Sequence, residues 1–523
     1  MVICALAAVA WGAVLLLVAE RRLSGDVRGF ILPGLRWYHN AAFDDIAIFG
    51  ARGYDGEFYA MLAPDPLLLR EDTAWGLDSP TYRARRVGVP LAAWLLAGGH
   101  GATAVRLYQL LCWGLALLGI GVAAAWLQAS GRSPWWALVL APSAGITASI
   151  LRTTPDGAAA GLIVTALFLH HRERRRAALL AVTFATLIRE TSLLAALALA
   201  WSEWRDGRRR SAMAFGLVPL ALLAVWQVRL VLRFGWGVGA PFDVVARPFS
   251  WLGPKLQQIA GVSPAWLSVE LWASLAVVLA IAGSLVFLLG RSRTTAERTL
   301  LLFSCLALVL GWKVYVEVFA SARALAVIPP LALMVAAGGP GRVRRLGFGA
   351  AVACSAVAGC LLVRQILLEA RTVTVPIRIA AGAAAPGGML ANRLPADLHD
   401  AVRKADGSLA IAPFVHDPSG GPTRRRTDLE VAAESPAAVV FELLRADGRN
   451  YPWPCRVRLA AGQTLLLSDA AQRLFGSTGS FGLRVSAERG AATMRWRLRD
   501  DRPGAILPPW SAPFVLDSGA RSP

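Results

Sequence analysis

The chain is poor in charge. Only 17% of its 523 residues are Asp, Glu, Lys or Arg, against 56% hydrophobic. A soluble protein of this length needs a polar shell that such a composition does not supply. Histidine is scarce as well. The six that occur show no metal-ligand spacing, which argues against a structural zinc centre. The six cysteines form no framework. Cys4, Cys112, Cys305, Cys354 and Cys360 lie in apolar blocks, where a thiol behaves as a small hydrophobe. Cys455 stands alone in the polar C-terminal region, so no disulfide can close within that region. The absence of a Walker A motif excludes P-loop nucleotide hydrolysis. No repeat of fixed period is visible.

Long apolar blocks recur from residue 1 to about 368, which places the chain among α-helical polytopic membrane proteins. Candidate spans lie near 1–19, 104–127, 135–150, 156–170, 175–189, 191–203, 211–232, 267–290, 299–319, 323–338 and 347–368, about eleven transmembrane helices in all. Residues 1–19 lack a basic n-region and a clear cleavage site, so they read as a retained signal-anchor helix. The formal net charge of +20 does not point to nucleic acid, because the basic residues sit in short clusters between apolar blocks. Arg132, the run His171–Arg176, the run Arg205–Arg210, Arg291 with Arg293, and Arg342 with Arg344 and Arg345 fall in alternate connections. The positive-inside rule makes those connections cytoplasmic. The expected topology is then a multi-pass protein of the cytoplasmic membrane with its N-terminus inside. The 20–103 loop, the 233–266 loop and the C-terminal region lie outside.

Residues 87–99 are apolar but too short to span, and spanning there would invert every later loop; they read as an interfacial helix. Ser79 as N-cap and Pro80 at the first helical position predict a helix that carries Arg83 and Arg86 on one face. The expected division is a transmembrane domain, 1–370, and an extracytoplasmic domain, 371–523. From about Asp428 the tail shows alternating β-like runs at 438–442, 456–459, 464–467 and 482–485. Turn signals at Asp447-Gly448 and Ala461-Gly462 separate them, and the pattern suggests a small β-sandwich.

The chemistry-bearing residues cluster in the first outer loop. Gly53-Tyr54-Asp55-Gly56-Glu57-Phe58-Tyr59 combines two carboxylates with aromatic rings suited to stacking on a sugar. A carboxylate here can deprotonate an acceptor hydroxyl or hold a divalent cation against a phosphate; the sequence names no cofactor and no metal. In a helix Asp55 and Glu57 diverge; in an extended segment they share a face. The competing reading is a pair of solvated loop acids. About twenty-five residues on, Tyr82 and the arginines 83, 85 and 86 offer charge-assisted forks for a phosphate, or else anchors for lipid headgroups. Three outer helix junctions add Arg152 with Asp156, Arg189 with Glu190, and Arg323 near Lys313 and Glu317. Thr154, Pro155 and Asp156 also make an ordinary helix start, and Arg189–Glu190 an ordinary local pair.

These residues resemble a family. A signal-anchor helix, a long first outer loop with an acidic motif, about ten further helices and an outer C-terminal domain look like the GT-C superfamily of membrane glycosyltransferases. The motif from Gly53 to Tyr59, followed by Pro80-x-Tyr82-Arg83-x-x-Arg86, resembles bacterial GT-C-like proteins of cell-surface glycopolymer formation. The corners at Thr154–Gly157 and Arg189–Ser192 look similar to those of the same group. The resemblance covers roughly residues 1–370. It implies a polyprenyl-phosphate-linked sugar as donor, a glycan or lipid-linked acceptor, an acidic first-loop residue that Asp55 matches by position, and basic residues on the lipid phosphate, for which Arg83 and Arg86 are the candidates; Glu57 is the second catalytic candidate of the motif. Tyr54, Tyr59, Tyr82, Arg152, Asp156, Arg189, Glu190 and Arg323 complete the expected binding set. Many members pair two adjacent acids; here Gly56 separates Asp55 from Glu57, and the adjacent pair Asp44-Asp45 is the other match. The competing functions are a flippase or exporter of lipid-linked saccharides, which tends toward midplane charges and internal repeats, and a non-catalytic assembly partner.

Overall fold

A computed structural model describes residues 2–23, 25–33, 53–70, 73–74, 77, 79–235, 246–262, 264–285, 294–338 and 342–369, with short segments and nine strands between 379 and 517. The Asp44-Asp45 pair, Arg291, Arg293 and the Asp447-Gly448 turn lie outside the described residues. The chain divides into two compact units, one of residues 1–31, 58–74 and 78–373 and one of 32–57, 75–77 and 374–523.

The first unit is helical. In chain order its helices, with the loop helix that leads into it, are α1 (Val2–Arg22), α2 (Asp55–Leu62), α3 (Pro80–Arg83), α4 (Gly88–Leu96), α5 (Gly101–Ala129), α6 (Ala144–Leu151), α7 (Asp156–His171), α8 (Arg175–Ile188), α9 (Leu193–Arg205) and α10 (Arg209–Phe234). Then follow α11 (Leu252–Ala260), α12 (Val269–Leu285), α13 (Thr295–Val309), α14 (Trp312–Tyr315), α15 (Val318–Ala324), α16 (Ile328–Gly338) and α17 (Arg342–Glu369). Among the described residues four helices are long and apolar enough to cross a membrane, α1, α5, α10 and α17, or up to six spans if each bent pair counts as one. Among the described residues the expected count of eleven spans is thus not reached by length and composition.

The departures have local causes. The expected span 135–150 is a 3-10 turn, Pro134–Leu140, joined to α6 at a bend of 56°. Pro142 sits in the break and cannot continue the hydrogen-bond ladder. The Ala141 carbonyl freed there accepts the indole N–H of Trp11 at 3.0 Å, which joins α1 to the bend. A second bend of 45° separates α15 from α16, whose first turn holds Pro329 and Pro330. The expected span 299–319 begins early and stops early. Thr294 and Glu297 form a reciprocal capping box that starts α13 at Thr295, and the chain turns extended at Leu310. The apolar segment 87–99 is the short helix α4, with Leu95 and Leu96 exposed.

Close packing rests on small residues. α5 and α7 cross where Gly119 faces Gly161; a Cβ on Gly119 would lie 2.6 Å from the Gly161 Cα, and one on Gly161 would strike the Leu115 carbonyl. At one end of these helices the buried Glu203 collects His170 at 2.8 Å, Arg175 at 3.1 Å and Arg208 at 2.8 Å. The two arginine-rich runs of the sequence thus converge at one end of α7–α10.

The second unit carries two antiparallel sheets. Its strands are β1 (Ile379–Ala381), β2 (Leu409–Ile411), β3 (Arg425–Ala433), β4 (Ala437–Leu444), β5 (Cys455–Leu459), β6 (Gln463–Leu467), β7 (Gly482–Arg489), β8 (Ala491–Asp500) and β9 (Phe514–Asp517). One sheet has the order β1-β6-β3-β8-β9 and the other β2-β7-β4-β5. Buried residues fall two apart in several strands: Leu429 and Val431, Val439 and Phe441, Val457 and Leu459, Ala492 and Met494. That period of two is what a sandwich core requires.

Gly161→Leu should drive α5 and α7 apart, at a cost of about 3 kcal/mol or more. Gly114→Leu, on the same α5 but with nothing within 4 Å of its Cβ, should stay within about 0.5 kcal/mol of the parent. Melting of the two purified variants in detergent, followed by size-exclusion fluorescence, checks the difference.

Candidate functional site

The Gly53–Tyr59 motif forms a helix start. α2 begins at Asp55, and both acids sit in its first turn, where the helix dipole favours negative charge. Two residues apart on a helix, Asp55 and Glu57 diverge by about 200°. The shared-face arrangement is therefore not adopted. Gly53 precedes them because a Cβ there would run into the Glu57 carboxylate. Tyr54 bonds its backbone N–H to the Leu32 carbonyl at 3.0 Å. Farther along α2, Tyr59 is fully buried and its hydroxyl accepts from Arg86 Nη1 at 2.6 Å, while the Arg83 guanidinium lies 4.5 Å above the Phe58 ring.

Pro80 occupies the first turn of α3, as its sequence position predicts, although Ser79 makes no side-chain cap bond. The helix ends at Arg83. Arg83 and Arg86 therefore do not share a helix face; Arg86 lies past the C-cap, with its N–H on the Arg83 carbonyl at 3.3 Å. This turn is pinned from α10. The Trp226 indole donates to the Ala84 carbonyl at 2.8 Å, and Thr81 Oγ1 donates to the Gly235 carbonyl at 3.0 Å.

From the turn, two guanidiniums reach one carboxylate. Arg86 grips Glu190 through Nε and Nη2, each at 3.0 Å, and Arg85 adds Nη2 at 2.9 Å on Oε1. Tyr82 is packed among the arginines, with Arg85 4.1 Å, Arg83 5.3 Å and Arg86 5.8 Å from its ring centre. Burial alone would raise the Glu190 carboxyl, but the Arg86 and Arg85 charges outweigh it and hold the group well below the usual carboxylate range. Burial likewise opposes the charge on Arg86, and Glu190 overrides it and holds the guanidinium firmly protonated. The Tyr82 phenol is also lowered: burial raises it, and the positive charges of Arg86 and Arg85 win.

A second acid lies at the start of α7. The helix begins at Asp156 with Pro155 in the cap position, one residue later than the Thr154 cap expected from sequence. The Asp156 carboxylate is fully buried and pairs with Arg189, with Arg323 of α15 at 3.6 Å. The expected local Arg189–Glu190 pair is thus replaced by two longer-range ones. Glu190 goes to the loop arginines, and Arg189 goes to Asp156 and, through Nε, to Thr191 Oγ1 at 3.1 Å. Arg152 stacks 4.3 Å over the Phe319 ring of α15. Between Arg152 and Asp156, Thr153 takes a left-handed φ of 43°. That is costly for a β-branched residue. Tyr108 donates to its carbonyl at 2.9 Å, and Gln109 donates to its Oγ1 at 3.4 Å.

Tyr59, Tyr82, Arg83, Arg86 and Glu190 thus converge, and Asp156, Arg189 and Arg323 form a second group, while Arg152 lies on the Phe319 ring of α15. Asp55, Glu57 and Tyr54 open α2. Arg85, absent from the set that the resemblance implied, and the holders Tyr108, Gln109 and Trp226 join the arrangement. Only Arg85 had a sequence signal, its place in the Arg83–Arg86 basic run. At Glu190 two guanidiniums share one carboxylate, an arrangement suited to an added anion. Among the described residues no group of three or more His, Cys, Asp or Glu is placed to hold a metal ion.

Glu190→Gln should cost about 3–5 kcal/mol, because it leaves buried guanidiniums without their counter-charge. The sign of its pH dependence follows from a folded pKa below the unfolded value of about 4.3. The parent's advantage should be full near neutrality and shrink progressively as pH falls below about 4.3. Melting temperatures of parent and variant between pH 8 and pH 3 measure this.

No family model matches the chain, and no curated protein does. Among solved structures, a cryo-EM structure of the arabinosyltransferase EmbB from Mycobacterium smegmatis aligns over 97% of this chain and 64% of that one, with 12% identity and a TM-score of 0.32. The chain thus spans less than two thirds of the length of that protein, and at this level of similarity the match assigns neither family nor activity.

Proposed function

We propose that the protein is a GT-C-type membrane glycosyltransferase acting in cell-surface glycopolymer assembly. The observation that carries this reading is the arginine-rich network at the helix corners, with Tyr59 and Tyr82 beside it. Such a site suits an amphiphile with an anionic head, and a polyprenyl-phosphate sugar is the donor that the family resemblance implies. The positions of the basic runs support a cytoplasmic membrane setting, with the N-terminus inside and the C-terminal region outside. The β-rich region is then available to polymer or to an assembly partner.

In the proposed reaction the acceptor hydroxyl oxygen attacks the anomeric carbon with inversion. The bond from that carbon to the phosphate oxygen breaks, and polyprenyl phosphate leaves with the electron pair. Asp55 takes the hydroxyl proton, and the guanidiniums stabilise the charge that develops on phosphate. Glu57 serves as the second acid of the motif. A divalent cation against the phosphate is compatible with this scheme and not required by it. A transporter is the weaker reading, because the charges gather at helix ends and no internal repeat is visible.

Asp55→Asn should reduce transfer by about 10²-fold or more if Asp55 is the base. Radiolabelled sugar transferred by detergent-purified protein, with no membrane to cross, is the readout. Unchanged product at normal protein level would remove Asp55 from that role. The absence of any transfer by the parent protein would favour transport.

A further inference from the structure

Arg85 and Arg86 share Glu190 unequally. Arg86 makes two bonds to the carboxylate and one to Tyr59, and it is 5% exposed. Its charge and most of its donors are used. Arg85 makes one contact, Nη2 on Oε1 at 2.9 Å. Its Nε is buried without a hydrogen-bond partner, and its guanidinium lies on the Tyr82 ring at 4.1 Å.

Charge balance points the same way. One carboxylate cannot neutralise two guanidiniums. The bidentate partner Arg86 takes that charge, and the charge of Arg85 is left over. A buried donor without an acceptor is unfavourable, and an incoming phosphate oxygen removes that penalty. The aromatic face under Arg85 fixes the plane of the guanidinium without consuming any N–H.

We propose that Arg85 is the phosphate-binding arginine of this corner and that Arg86 is a positioning residue, which locks Glu190 and Tyr59. The proposal rests on the reading of the site as one for a lipid-linked phosphate, and it reverses the assignment that the sequence motif suggests for Arg86.

The test uses full-length protein in detergent with two probes, decaprenyl phosphate and inorganic pyrophosphate, titrated against intrinsic tryptophan fluorescence. R85Q should weaken binding of decaprenyl phosphate at least tenfold while the melting temperature stays within a degree or two of the parent. R85K keeps the charge but lacks Nε and should recover only part of the loss. R86Q should instead lower the melting temperature by several degrees. Equal affinity in R85Q and parent overturns the proposal, and so does an R86Q variant that is stable and binds more weakly than R85Q. Arg85-dependent binding of pyrophosphate without binding of decaprenyl phosphate keeps the Arg85 assignment and removes the lipid-linked donor. A parent that binds neither probe removes both.

Discussion

A single carboxylate, that of Glu190, holds the first loop to the helical corner between α8 and α9. Two guanidiniums from the loop reach it across about a hundred residues of chain, and the bidentate one, Arg86, cannot leave without stranding charge in a site mostly closed to water. The energetic asymmetry matters more than the attraction. Forming such a group from solvated ions gains little, but breaking it after assembly costs a great deal. The loop is therefore committed once it docks. The bonds from Trp226 and Thr81 then set where its turn lies.

The same constraint recurs at Asp156. A fully buried acid receives arginines from two other elements, and the strained Thr153 beside it is braced by Tyr108 and Gln109. A helix that breaks inside an apolar slab must give its freed backbone groups to something. Here the Trp11 indole covers the carbonyl at one break. Polar atoms thus collect at corners where helices stop.

Much of the helical pattern is legible because it depends on neighbours in sequence. Apolar length marks α1, α5, α10 and α17, and Pro80 marks the start of α3. The β-like runs of the tail follow from period-two burial, while β3 and β8, each with charged residues among its apolar ones, carry a weaker pattern. What stayed hidden is long-range or cooperative. Nothing local says that Glu190 prefers Arg85 and Arg86 to adjacent Arg189, because that choice depends on how α3 docks. The switch from extended to helical at Asp55 is also unreadable, since glycines on either side permit both. The capping box at Thr294 and Glu297 was present in the letters, but the apolar run that defines a span starts after it.

The left-handed turn at Thr153 inverts the usual scale of conservative change. Valine matches threonine in size and shape, yet it keeps the conformational cost of a β-branched residue and loses the contact to Gln109. Glycine, the replacement least like threonine, is the one that the backbone accepts freely, and the Tyr108 bond survives it because that bond goes to the main chain. The corner is thus written in backbone geometry, and side-chain similarity is a poor guide to which residues it tolerates.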